Sequence, residues 1–148
     1  MKWNIGFALL LSFLFYSCKP RTDDSDAIKK LLEKESATWR SGDVKAHADC
    51  WKIEPYSRIL VSTADGHTND IPPDNMIHPA PNNMGKGGTS INTNYKMSIR
   101  NDNAWVSHNE ESTAADGKKS YSYEIRLLEK IDGEWKLVGQ SIHLYEPK

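Results

Sequence analysis

Residues 120–145 read SYSYEIRLLEKIDGEWKLVGQSIHLY. Asp132-Gly133 between two β-rich runs is a strong local hairpin signal. On the first run Tyr121, Tyr123, Ile125 and Leu127 alternate with Ser122, Glu124, Arg126 and Leu128, the period-2 pattern of a strand with two different faces. The return run carries Trp135, Leu137, Val138, Ile142 and Leu144, and its alternation slips by one residue near Gly139. A bulge at that point restores the phase, because glycine tolerates the left-handed geometry a bulge requires.

Working outward, residues 103–113 and 94–100 read as two more strands. Asn101-Asp102-Asn103 joins them, and Ala114-Ala115-Asp116-Gly117 leads into the hairpin. Residues 69–93 hold four prolines, several asparagines and the run Gly85-Lys86-Gly87-Gly88. Regular structure is expected there only over 73–78, as one helical turn opened by Pro72-Pro73. A segment of this kind is either a mobile flap over one end of the fold or disordered. Before it, residues 58–63 read as a strand ending at the turn Ala64-Asp65-Gly66. A first helix is expected over about 26–40, with Ile28, Leu31, Leu32, Glu35 and Trp39 at helical spacing and Gly42 at its stop. Asp43 caps a second, shorter helix over 44–51. Helices first and meandering strands afterwards imply an α+β domain, with the helices gathered on one face of an antiparallel sheet.

The 148-residue chain has 19 basic and 20 acidic residues. A net charge of −1 supplies no basic field for a phosphate backbone, so nucleic acid is not an expected partner. Met1-Lys2 and the apolar residues 5–16 form a leader too short to span a membrane. Phe15-Tyr16-Ser17-Cys18 resembles a bacterial lipobox, and an ordinary secretory leader is the alternative. The resemblance implies cleavage before Cys18 and diacylglycerol on that cysteine, hence an envelope protein held on a bacterial membrane. The expected layout is a signal peptide over 1–17, a lipidated cysteine and tether over 18–25, and one domain over 26–148. Cys50 has no partner and reads as a small buried hydrophobe rather than a nucleophile.

Trp39-Arg40-Ser41-Gly42-Asp43, the short helix after it, Ala104-Trp105-Val106, Glu124-Ile125-Arg126-Leu127-Leu128 and Asp132-Gly133-Glu134-Trp135 follow in order. In that order and spacing they resemble the nuclear-transport-factor-2-like (SnoaL-like, cystatin-like cone) superfamily. The resemblance implies a cone whose open end admits ligands, and it is nearly silent on activity. The third helix of that family has no counterpart here, since residues 69–93 occupy its place.

Which strand face lines the hollow is open at this stage. The Tyr121/Tyr123/Ile125/Leu127 face is the more apolar and points inward on that ground alone. Resemblance to the association domain of calcium/calmodulin-dependent kinases implies the reverse, with Arg126 facing the cavity. Glu124 and Arg126 are accordingly either a solvated surface pair or a buried site in which Arg126 receives a carboxylate and Glu124 holds it. On the second reading, Arg126→Ala removes small-acid binding and leaves the fold intact. Trp105, Glu124, Arg126 and Gln140 are the expected ligand-binding residues, and Trp39, Trp51 and Trp135 the expected core. Asp65 with His67, near the expected mouth, is the candidate acid–base pair. His47 reads as exposed on its helix, and His108 and His143 lie on strands. Histidine and cysteine spacing matches no metal motif, and no cofactor is expected. The expected function is small-molecule binding. The alternatives are a small isomerase, dehydratase or hydrolase using a mouth histidine, and a homodimeric assembly domain with Tyr121 and Tyr123 at its contact.

Overall fold

The computed structural model describes residues 24–80 and 82–147. The expected signal peptide and Cys18 lie outside them. Helix α1 (Asp24–Ser41) begins inside the expected tether, where the Asp24 carboxylate accepts from Lys130 Nζ (2.6 Å) and Trp135 Nε1 (3.1 Å). Ile28, Leu32, Glu35 and Ser36 are its buried face. It ends at Gly42 (φ 74°), where Gly42 N–H bonds to Trp39 O and Asp43 N–H to Thr38 O, a double bond pattern that satisfies the last helical carbonyls. Asp43 then caps α2 (Val44–Ala48) by accepting from Ala46 N–H at 3.0 Å.

Strand β1 (Ile59–Ser62) turns into β2 (Thr68–Ile71), and a 3-10 turn follows at Pro73–Met76. Strands β3 (Gly88–Arg100), β4 (Asn103–Ala114), β5 (Lys119–Ile131) and β6 (Glu134–Tyr145) form a meander. All six strands make one curved sheet in the order β2-β1-β6-β5-β4-β3. The sheet is mixed rather than purely antiparallel, because β1 runs parallel to β6 (Ile59 opposite Gln140). The α+β expectation holds, with α1 packed on the sheet.

The hairpin is as the sequence suggests. Asp132 (φ 52°) and Gly133 (φ 84°) both take the left-handed conformation that a two-residue turn matched to strand twist needs. Leu127 lies opposite Gly139 and Leu128 opposite Leu137, so Val138 is the extra residue of a bulge; Gly139 does not take the left-handed conformation expected of it, and a Cβ there would sit 3.3 Å from Arg58 O. Trp135 and Leu137 before it, and Gln140 after it, are all buried.

The middle segment holds more structure than expected. β2 was not anticipated, and β3 begins six residues earlier than its expected start at Asn94. Local propensity in this Gly/Asn/Thr-rich stretch is weak, and pairing with β4 decides it. A register shift falls between Thr93 and Lys96, with Asn94 at φ 56°. Residues 82–87 are tied to the end of α1, since Gly85 N–H bonds to Trp39 O (3.0 Å) and Gly87 N–H to Arg40 O (2.7 Å). A Cβ on Gly85 would sit 2.7 Å from the backbone of Arg40, so only glycine fits there.

The core gathers Ile28, Leu32, Cys50, Trp51, Ile59, Val106, Leu128, Trp135 and Leu137 between helix and sheet. Each large aliphatic contributes about 1.5–3 kcal/mol by burial. Cys50 is fully buried, and burial pushes its thiol up to about 11, the mark of an inert structural cysteine.

Candidate functional site

A half-open cavity of about 820 Å³ lies between α1, the sheet and the segment 75–87. Its size falls within the range of about 300–1,000 Å³ typical of small-molecule sites. The even-numbered residues of β5 face it: Ser122, Glu124 and Arg126 are only 4 %, 3 % and 4 % exposed. Tyr123 (53 %) and Leu127 (45 %) lie on the outer face. The Glu124–Arg126 pair is therefore internal, not a solvated surface pair.

Arg126 is the centre of the floor. Its Nε donates to Glu124 Oε2 at 2.9 Å, Nη2 donates to the same oxygen, and Nη1 donates to Gln140 Oε1 and lies 3.4 Å from Glu35 Oε2. Burial opposes the guanidinium charge, but Glu124 and Glu35 outweigh it and raise the pKa above its ordinary value. Ser122 Oγ donates to the other oxygen of Glu124 at 2.8 Å.

Beside this lies a second pair. Arg40 Nη2 and Ser36 Oγ each donate to one oxygen of Glu110, while Arg40 Nε donates to Ser112 Oγ (3.0 Å) and Nη1 to Ser36 O (2.7 Å). Burial, reinforced by the Glu124 charge, raises the Glu110 carboxyl above its usual range. A third pair stands behind the wall. His47, fully buried, bonds through Nδ1 to Met76 O (2.8 Å) and through Nε2 to Glu35 Oε1 (3.0 Å). Burial pushes Glu35 up, but the Arg126 charge and the His47 bond hold it below its usual value.

Two site expectations are corrected. Trp105 does not line the cavity: it is 41 % exposed on the outer face of β4, because the inward positions of that strand are Ala104, Val106, His108 and Glu110. Asp65 and His67 sit on the exposed β1–β2 turn, with side chains 68 % and 82 % exposed and 3.9 Å apart, away from the cavity lining. The exposed reading of His47 is likewise overturned, since α2 turns that residue toward Glu35 and the 3-10 turn. Glu124, Arg126 and Gln140 all line the cavity. Glu35, Ser36, Arg40 and Glu110 also line it and were not picked out. An acidic Glu35 on the apolar stripe of α1 was the one local signal; Arg40 and Glu110 meet across 70 residues with none.

His108 is buried beside Glu124, its Nε2 3.6 Å from Oε2 and without a hydrogen-bond partner among the described residues. Burial depresses its pKa below 6.5, more than the Glu124 charge raises it. Its contribution to stability is therefore present above the unfolded value of 6.5 and lost as pH falls through the lower folded value. Urea unfolding followed between pH 7.5 and pH 5.5 should show His108→Phe losing less stability on acidification than the unsubstituted chain. The difference is bounded by about 1.4 kcal/mol per pH unit for one proton. Parallel profiles would show that His108 does not titrate in this way.

Among the described residues no helix is long and apolar enough to cross a membrane, and no cluster of metal-ligating side chains occurs. A long helix closing the concave side of a curved mixed sheet around a half-open cavity defines a cone-type α+β domain. Solved structures place it more closely, as the nuclear-transport-factor-2-like or cystatin-like fold. A protein of unknown function with a cystatin-like fold from Nostoc punctiforme superposes with a TM-score of 0.63 at 14 % identity, covering 84 % of this chain and 92 % of its own. A nuclear-transport-factor-2-like protein of unknown function from Methylobacillus flagellatus gives 0.60 at 22 % identity, covering 84 % and 94 %. A putative calcium/calmodulin-dependent protein kinase II association domain from Xanthomonas campestris gives 0.59 at 16 % identity, covering 87 % and 93 %. At such identities the likeness is one of fold. No protein-family model and no curated protein matches the chain.

Proposed function

We propose that this protein is a small-molecule-binding domain carried at the bacterial envelope by a lipid on Cys18. The observation that supports binding is the cavity: polar groups converge on its floor, while Trp39, Ile59, Val61, Met76, Ile142 and Leu144 supply apolar wall. The mouth-histidine enzyme has no such support, since His67 is not among the lining residues and its side chain is 82 % exposed. Native mass spectrometry of protein purified from its own host is expected to show a non-covalent small-molecule adduct. A bare chain mass from freshly isolated protein, with no adduct at any activation energy, would remove the reading. The lipid anchor is checked separately: Cys18→Ala should lose all incorporation of labelled fatty acid, and retained label would end that part of the proposal.

A second reading rests on the outer sheet face. Trp105 lies opposite Leu127, and Tyr123 stacks on Tyr145 with ring centroids 4.6 Å apart, leaving an exposed apolar stripe. Such a stripe suits contact with a second copy of the chain, and the same native spectrum reads it as a dimer mass.

A further inference from the structure

Resting on the binding-site reading, we infer that the cavity selects uncharged, amphipathic ligands that donate hydrogen bonds, such as alcohols with an apolar body, and discriminates against carboxylates. Its buried charges form three self-neutralising pairs: Arg126 with Glu124, Arg40 with Glu110, and His47 with Glu35. In the third pair Nδ1 of His47 faces the Met76 carbonyl and must donate to it. Its Nε2 faces a carboxylate oxygen at 3.0 Å, so one proton lies between those two atoms. Whichever atom carries that proton, the pair as a whole is uncharged. At the rim Lys86 and Asp116 bring one charge of each sign. The lining as a whole therefore offers no uncompensated charge to an ion that must shed its water to enter.

Every nitrogen of both guanidinium groups is also already engaged with a side chain or carbonyl of the lining. A guanidinium has five N–H groups. Arg126 engages Glu124 through Nε and Nη2, and Gln140 through Nη1. Arg40 engages Ser112, Ser36 and Glu110 through all three of its nitrogens. A ligand carboxylate that took the guanidinium face of Arg126 or Arg40 would displace Glu124 or Glu110 and leave that side chain buried without its counter-charge. Acceptors are in surplus by contrast. A carboxylate has about four lone-pair sites. Glu124 Oε1 receives only the Ser122 hydroxyl, and Glu110 receives one bond at each oxygen. A hydroxyl or N–H group entering between β4, β5 and α1 finds free acceptor capacity there, and its hydrocarbon body meets Ile59, Val61, Ile142 and Leu144.

The test uses the full chain and matched probes: 2-phenylethanol, 2-phenylethylammonium and 3-phenylpropanoate, together with alkyl alcohols, ammoniums and carboxylates of equal length. Calorimetric titration at pH 7 is expected to give alcohols about tenfold tighter than the matching carboxylates and tighter than the ammoniums. Ile142→Trp, which fills one wall, should abolish alcohol binding while the thermal melt stays cooperative. Carboxylates or ammoniums binding tighter than alcohols would overturn the inference, and so would alcohol binding that Ile142→Trp leaves unchanged. Failure of every alcohol to bind would overturn it too. The broader binding reading falls only if the protein from its host also carries no adduct.

Discussion

Arg126→Leu is expected to cost about 3–5 kcal/mol of folding stability, the penalty for stranding buried charges without their partner. The side chain is 4 % exposed and serves two carboxylates, Glu124 and Glu35, besides Gln140. Leucine fills much of the volume but donates nothing, so two buried carboxylates must either stay ionised beside hydrocarbon or take up protons. Both routes destabilise the native state. Lysine in its place would fare poorly as well, because one ammonium cannot reproduce a planar fork that reaches three side chains. This revises the expectation that truncation at Arg126 removes binding and spares the fold: the residue is a structural hub of the cavity floor. Urea denaturation of Arg126→Leu measures the loss. Replacing Glu124 by methionine in the same chain should restore part of it, since it removes the carboxylate that Arg126 neutralises and leaves the Glu35–His47 pair in place. A loss below about 1 kcal/mol would mean the guanidinium is as replaceable as a surface charge.

Deleting Val138 is the more drastic change. The residue is the bulge of β6: Leu128 faces Leu137 on one side of it and Leu127 faces Gly139 on the other. Because side chains alternate with period 2, removing one residue turns one half of the strand over. If the far half slips, Gln140, Ile142 and Leu144 leave the cavity for the outer face, and the parallel pairing of Ile59 with Gln140 is lost as well. If the near half slips, Trp135 and Leu137, 6 % and 0 % exposed, leave the core. Neither half can move without exposing what the domain is built on. The loss is expected to reach the order of the whole 5–15 kcal/mol that holds a domain together. A far-ultraviolet circular dichroism melt should then show no cooperative transition. A cooperative melt within a few degrees of the parent chain would show that something other than the bulge sets the register.

That bulge was legible beforehand because its causes are local. The slip in alternation near Gly139 and the Asp132-Gly133 turn are both written in a few adjacent residues. The same holds for the first helix, its Gly42 stop and the Asp43 cap. Strand β2 and the early start of β3 were not legible, since Thr68–Ile71 and residues 88–93 have little propensity of their own and are extended because a neighbouring strand pairs with them. Trp105 was misplaced for a related reason. Its strand neighbours Ser107 and Asn109 share the outer face with it, while the inward face carries Val106, His108 and Glu110.

By itself the sequence determined an α+β chain with a helical start, a terminal hairpin and a strand whose two faces differ. Those follow from turn chemistry and periodicity, which act over a few residues. Which face of β5 looks inward was decided only by tertiary structure. Taken alone, hydrophobic burial favours Tyr121, Tyr123, Ile125 and Leu127, yet Glu124 and Arg126 are inside. The physical reason is that a charged face can be buried where distant partners neutralise it. Those partners, Glu35 and Arg40 on α1, His47 on α2 and Glu110 on β4, come together only when the helix closes over the sheet.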